Sequence, residues 1–109
     1  MTQVLQTAMV VLTVLGMLSS IAHASSYNDK ILTHIAIQSD GTVFIKWAES
    51  PRPGPCGENF GWVKIPPTAN EAIKALAISL YIGGKLARID TSGCDGTYEI
   101  VTILYSPGG

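Results

Sequence analysis

The sequence predicts a small, mainly β domain with one helix, in the order β-β-β-α-β-β. Five segments rich in β-branched and aromatic residues predict short strands. One segment with apolar residues at three- and four-residue intervals predicts a helix between the third and fourth strands. This is the chain order of the OB-fold, a small Greek-key barrel. A flat sheet covered by one helix is the competing architecture. We favour the barrel because the strands carry too many apolar faces for one helix to cover, and because closure removes exposed edges.

Residues 1–24 differ in character from the rest of the chain. An apolar stretch from Ala8 to Leu18 is followed by Ala22-His23-Ala24, a pattern typical of a secretory signal peptide cleaved after Ala24. Because no Lys or Arg precedes Lys30, a retained anchor is the alternative, and roughly 20 apolar residues can span a bilayer. We expect a signal peptide in 1–24, a single OB-like domain in 25–109, and a periplasmic or secreted protein that contacts membrane only through an uncleaved signal segment.

The charge of the chain disfavours two classes of partner. The 109 residues include 7 Lys and Arg against 8 Asp and Glu, a formal net charge of −1, and all of these charges lie after residue 24. Nucleic acid and anionic membrane both favour a basic patch, which a nearly neutral chain with scattered charges does not predict. We therefore expect no nucleic-acid partner.

The first three predicted strands surround a hairpin and a loop. Strand one covers 30–38 and strand two covers 42–49, and Asp40-Gly41 between them is a strong hairpin signal. The segment 50–61 is so rich in Pro and Gly that it predicts a loop. A short third strand follows at 61–65.

The helix and the last two strands complete the domain. Thr68 to Glu71 has the spacing of a capping box, which predicts a helix from there to about Ile82, ended by Gly83-Gly84. The apolar stripe of this helix includes Ile73, Leu76 and Leu80, with Lys74 outside it. Strand four is predicted at 85–91, a turn at 92–96 and strand five at 97–105.

Cys56 and Cys94 are the only cysteines of the chain. An even count in a small exported domain favours a disulfide, here closing a long loop and worth roughly 4 kcal/mol on the chain-entropy model. A zinc site would need more ligands than two Cys and His34 supply, so we expect no metal and no cofactor.

The order of elements, the helical segment ANEAIKALAISLYIGGK, the segment LARID and the Cys-containing loop and turn resemble small exported bacterial OB-fold proteins. These include the B subunits of AB toxins of the subtilase and pertussis type and similar uncharacterised periplasmic proteins. The resemblance implies a carbohydrate- or surface-binding subunit that often assembles as a ring of five. It also implies that strand five lies beside strand three, which lets Cys56 and Cys94 approach each other.

Aromatic residues bracket the Pro-rich loop and are the candidate ligand-binding residues. Sugars are bound by aromatic faces together with planar hydrogen-bonding side chains in concave sites. We therefore select Arg52, Phe60, Trp62 and Trp47. The alternative is structural: Trp47 packs inward with Val43 and Ile45, while Phe60 and Trp62 close one end of the barrel.

Catalysis is the least favoured function, and we expect no catalytic residues. His34, in mid-strand, is the only histidine after residue 24 that a nucleophilic triad could use. Glu58 and Asp95 could act as paired carboxylates, but both lie in Gly-rich segments where turn residues and solvated charges are ordinary. The sequence thus predicts a non-enzymatic exported binding module for a glycan or cell-surface ligand. The alternative is a periplasmic structural or interaction protein, such as an envelope adaptor or an enzyme inhibitor.

Overall fold

The computed structural model describes residues 24–107 of the chain. Its elements are β1 (Ala24–Ile37), β2 (Val43–Trp47), β3 (Val63–Ile65), α1 (Glu71–Gly83), β4 (Leu86–Asp95) and β5 (Tyr98–Tyr105). The strands close into a barrel in the order β1-β2-β3-β5-β4. The predicted fold class is confirmed: the domain is mainly β with one helix and forms a small OB-fold-like barrel. The predicted signal peptide lies outside the described residues, apart from Ala24.

The long first strand closes the barrel because it serves two neighbours. Its C-terminal half pairs with β2, from Leu32 opposite Trp47 to Ile37 opposite Val43. Its N-terminal half pairs with β4, from Ala24 opposite Ser92 onward. At the other side of the barrel β3 and β5 run parallel. This arrangement brings the outer faces of β1, β2, β3 and β5 side by side.

The core lies inside the barrel and under the helix. Alternation along β2 and β3 sends every second side chain inward, as expected of a sheet with one buried face. The fully buried apolar residues include Val43, Ile45, Val63, Ile65, Ala77, Ala87 and Ile89. Ala87 and Ile89, which alternate along β4, both face the core.

The structure of β1 departs from the predicted strand in two ways. The strand begins at Ala24 rather than at Lys30. Its register also shifts between Leu32 and His34, so the strict two-residue alternation expected of a strand over 30–38 is broken. Leu32 and Ile35 pack on the inner side, and Ile31 and Ile37 are 49% and 59% exposed. A bulge changes the face of every residue beyond it because the side-chain period of a strand is two.

The helix begins two residues later than a capping box at Thr68 requires. Its N-cap is Asn70, whose side-chain oxygen accepts a hydrogen bond from the Ala72 amide at 2.8 Å. Asn is a better N-cap residue than Thr, so the helix begins after Asn70 rather than after Thr68. At the other end Gly84 adopts the predicted left-handed conformation.

Lys74 is buried, contrary to its predicted place outside the apolar stripe. Its ammonium donates to the Pro67 carbonyl at 2.9 Å and lies 3.3 Å from the Glu71 carboxylate. The same nitrogen would lie 3.3 Å from a Cβ on Gly41. Lys74 therefore links the helix to the segment before it, and its methylene groups pack beneath the helix.

The hairpin of β4 and β5 is tighter than predicted. The predicted turn at 92–96 is wrong because β4 continues through Cys94 to Asp95, which is opposite Tyr98, leaving a two-residue loop. A register shift between Thr91 and Cys94 accommodates Gly93, which has a φ of 82°. A bulge of this kind lets the strand bend without ending.

The predicted disulfide between Cys56 and Cys94 is present, with Cα atoms 5.7 Å apart and a sequence separation of 38. It joins the loop between β2 and β3 to the end of β4. That loop is therefore anchored to the barrel wall near its middle.

A buried carboxyl group lies between β1, β4 and β5. Glu99 is 1% exposed, and its two oxygens accept hydrogen bonds from the hydroxyls of Tyr27, at 2.7 Å, and Thr91. Burial and the Glu99 carboxyl together raise the pKa of Tyr27 to about 12. The two hydroxyls supply the partners that a buried carboxyl requires.

Candidate functional site

The loop between β2 and β3 carries most of the predicted site residues and is held at two points. One is the disulfide at Cys56. The other is a pair of reciprocal backbone hydrogen bonds between Gly54 and Gly57, at 2.9 and 3.1 Å. Gly57 also packs so closely on Thr97 that a Cβ would lie 3.2 Å from the threonine methyl group. The loop is thus a fixed structure despite its Pro and Gly content.

A tight turn at Asn59–Trp62 presents an aromatic ring to solvent. The Trp62 amide donates to the Asn59 carbonyl at 3.0 Å, and Phe60 and Gly61 between them have φ values of 55° and 87°. Positive φ at both central positions is the signature of a type I′ turn. The buried side chain of Asn59 accepts from the Gly61 amide at 2.9 Å and holds the turn in place. Phe60 is consequently 57% exposed at the tip.

Arg52, Glu58 and Phe60 form a cluster at this tip. The Arg52 guanidinium lies over the Phe60 ring at 4.9 Å from its centroid, and its Nε is 3.5 Å from the Glu58 carboxylate. The same carboxylate oxygen accepts from the Phe60 amide at 2.8 Å. A planar guanidinium, a carboxylate and an aromatic face are therefore presented together at the tip of the loop.

Trp62 is half-buried beside this cluster, on the outer face of the barrel. The Lys46 ammonium lies 4.8 Å from its ring centroid. The His34 and Phe44 rings are 6.2 and 6.4 Å away, both edge-on. Aromatic pairs favour such edge-to-face arrangements, so the rings position one another.

The tip cluster borders an open depression of about 190 Å³. It is lined by Thr33, His34, Lys46, Trp47, Ala48, Ser50, Arg52, Phe60 and Gly61. The structure thus brings three of the predicted ligand residues, Arg52, Phe60 and Trp47, to one depression, and Lys46 at its edge also covers Trp62.

Trp47, the fourth predicted ligand residue, also lines this depression, but it does so as a buried residue of the core. Its side chain is 3% exposed and packs on the Tyr27 ring at 4.9 Å. This is the inward packing that the alternative interpretation of the sequence predicts. Trp47 therefore supports the depression from beneath, within the core.

The acidic residues weighed for catalysis have separate ionic partners. Glu58 contacts Arg52, and Asp95 pairs with Lys64 on the outer face of β3. The His34 ring nitrogen lies 3.0 Å from the Thr33 hydroxyl. Between residues 24 and 107, no three His, Cys, Asp or Glu side chains are grouped so that they could hold a metal ion. None of the helices in that range is long and apolar enough to cross a membrane.

Three neighbours of Trp62 were not selected from the sequence as ligand residues. These are His34, Phe44 and Lys46. The signal was present for two of them, because Phe44 and Lys46 alternate with the buried Val43, Ile45 and Trp47 and so lie on the outer face. Their proximity to Trp62 depends on the register in which β2 pairs with β3.

The fold defines the class of this protein as a small OB-fold-like barrel with one disulfide. No known protein-family model matches the chain, and no curated protein matches it either.

Proposed function

We propose that this protein is an exported, non-enzymatic binding module that recognises a glycan or another cell-surface ligand, in the manner of a toxin B subunit. The observation that carries this proposal is the tip cluster. Arg52, Glu58 and Phe60 contact one another at the tip of the loop, and Arg52 and Phe60 line an open depression. Periplasm or the extracellular space is the proposed location, and the disulfide is compatible with it.

The chemistry of the tip suits a sugar. Sugar rings present apolar C–H faces that pack on aromatic rings, and hydroxyl groups that bond to carboxylate and guanidinium groups. Binding sites of this kind are concave, with a few placed polar groups. The outer face of strands two and three is also where OB-fold barrels hold oligosaccharides and oligonucleotides.

The backbone at Phe60 also supports a binding role. A bulky residue at a φ of 55° is rare and costs about 1–3 kcal/mol. Such conformations cluster at ligand sites, where the surrounding structure holds them in place. Here Asn59 and Glu58 supply that support through hydrogen bonds to the Gly61 and Phe60 amides.

The test is binding of the oxidised, folded protein to a glycan array and to whole cells. We expect Trp62→Ala to weaken binding without loss of folding. Tyr105→Ala, which removes a half-buried aromatic ring that lies beside Arg88, is the matched control and should leave binding unchanged. Failure of the folded protein to bind any glycan or envelope component would overturn the proposal.

A second candidate function is a periplasmic interaction protein, such as an envelope adaptor or an enzyme inhibitor. It is favoured by apolar side chains exposed near the end of the helix and on the neighbouring strands. These are Ile31, Tyr81, Ile82 and Leu86, of which Ile82 is 80% exposed. Capture of one defined envelope protein, abolished by Ile82→Asp and insensitive to added sugars, would favour this function over the first.

Self-association is a further part of the proposal, because the resemblance to toxin B subunits implies a ring of five. The same exposed apolar residues are available for a contact between copies. Sedimentation equilibrium of the oxidised protein tests this directly. A monomer at all concentrations would contradict a pentameric assembly.

A further inference from the structure

A second depression lies on the outer face of the barrel, on the other side of Trp62 from the tip cluster. Its volume is about 250 Å³, and it is lined by Ala36, Gln38, Phe44, Trp62 and Tyr98. Phe44 and Tyr98 come from β2 and β5, and their ring centroids are 4.9 Å apart. The two rings and Trp62 form an aromatic wall with the Gln38 amide among the lining groups.

The rings of this depression differ from those of the tip. At the tip Arg52 lies over Phe60, and between the two depressions Lys46 lies over Trp62, so a cation already occupies one face of each of these rings. Phe44 and Tyr98 instead contact only other rings in the aromatic and cation–π pairs of residues 24–107. Their half-buried faces are therefore the apolar platform of this surface.

The two depressions are adjacent and share one row of aromatic side chains. His34 lines the first, Trp62 lines the second, and their ring centroids are 6.2 Å apart. Along β2, Lys46 borders the first and Phe44 the second. Two positions along a strand span about 7 Å, which is of the order of one sugar residue in a linear chain. A ligand that fills both must therefore be extended.

We infer that Phe44, Trp62 and Tyr98 form a second subsite, and that the ligand is a linear oligosaccharide of at least two sugar residues. This inference rests on the proposed function and names its substrate class. One sugar residue lies against the tip cluster, and the next lies on the platform of Phe44 and Tyr98. Gln38 supplies amide donor and acceptor groups for the hydroxyls of the second residue.

The charges on this face favour a sugar chain over single-stranded nucleic acid, the other ligand that aromatic rows on such barrels hold. Single strands need a positive groove that neutralises successive phosphates. Lys64 is paired with Asp95, and Arg52 with Glu58. Lys46 is the remaining lysine at the centre of the row, and it lies on Trp62. One cation is not enough to neutralise the successive phosphates of a single strand.

The experiment uses an array that presents each glycan both as a monosaccharide and as linear chains of increasing length, with the oxidised chain as the analyte. We expect chains to bind more tightly than their monosaccharides. Phe44→Leu and Tyr98→Leu should each weaken chain binding about tenfold, since an aromatic contact at the centre of a site is commonly worth over 1 kcal/mol. Both should leave monosaccharide binding unchanged. Tyr105→Leu is the control for loss of a half-buried ring outside the proposed subsites, and it should leave both kinds of binding unchanged.

Three results would overturn the inference. They are equal affinity for a monosaccharide and its chain, chain binding that survives both leucine variants in folded protein, and tighter binding of an oligothymidylate than of any glycan. If Phe44→Leu fails to fold, Tyr98→Leu decides the matter, because Tyr98 lies at the start of its strand. Binding to an envelope component but to no glycan would overturn the inference as well, whereas binding to neither would overturn the proposed function itself.

Discussion

Replacing Tyr27 by phenylalanine removes a single hydroxyl from the barrel wall and leaves the aromatic ring that packs on Trp47. That hydroxyl donates to the buried Glu99 carboxyl at 2.7 Å. A hydrogen bond to a charged group contributes about 1.5–3 kcal/mol, and loss of the donor leaves one Glu99 oxygen without its partner. We expect Tyr27→Phe to lower the free energy of unfolding by about 2 kcal/mol at neutral pH.

The same variant changes the response of the protein to alkali. The pKa of Tyr27 is raised from 10.0 to about 12, mainly by burial and then by the Glu99 carboxyl. A raised pKa gives stability that is complete below pH 10 and is lost as the pH rises towards 12. Because Tyr27 is only partly buried, solvent screening reduces this loss to about 1 kcal/mol. Tyr27→Phe should not show this loss of stability in alkali.

Urea denaturation followed by tryptophan fluorescence, at neutral pH and at several values above it, measures both effects. Tyr105→Phe is the matched control, because it removes a hydroxyl from a half-buried tyrosine that lies beside Arg88 instead. It should behave as the wild type does. If the two variants have the same free energy of unfolding, the hydrogen bond to Glu99 does not stabilise the barrel. If Tyr27→Phe keeps the full alkaline loss, another group titrates.

Three further predictions concern the loop. Replacing Cys56 and Cys94 together by alanine should lower the free energy of unfolding, measured by urea denaturation, by about 4 kcal/mol, because the disulfide spans 38 positions. A loss below about 1 kcal/mol would contradict this prediction. Gly61→Ala should lower the melting temperature more than Gly96→Ala does. Both glycines have positive φ, but only a Cβ on Gly61 would lie 2.5 Å from the Ser50 hydroxyl oxygen. Equal losses of melting temperature would show that this clash has no effect. Phe60→Asn should keep or raise the melting temperature, because Asn tolerates the left-handed region that Phe60 occupies. The same variant should weaken glycan binding, and unchanged binding would mean that the ligand binds elsewhere.

Local patterns predicted those features that neighbouring residues along the chain determine. The alternation of β2 gave inward packing of Trp47 with Val43 and Ile45 as the alternative to a ligand role for Trp47, and all three side chains are buried. Gly84 ends the helix as expected, because only a residue that tolerates positive φ suits that position. The fold class followed from element order, since few arrangements bury the apolar faces of five strands and one helix.

The errors arose where partners distant in sequence decide the outcome. The bulge in β1 reflects its register against β2, and the extension of β4 beyond Thr91 reflects its pairing with β5. Lys74 is buried because the segment before the helix offers its ammonium the Pro67 carbonyl. Periodicity within one element carries no information on these contacts.

Some residues of the proposed site follow from local sequence pattern, and others become neighbours only through the tertiary structure. Composition and spacing along the chain were enough to select Arg52, Phe60 and Trp62, because all three lie in or beside one loop. Phe44 and Tyr98 are far apart in sequence, and their rings meet only because the barrel closes with β5 beside β3, next to β2. Which side chains face outward follows from the two-residue period of a strand, whereas which of them become neighbours follows from strand order and register.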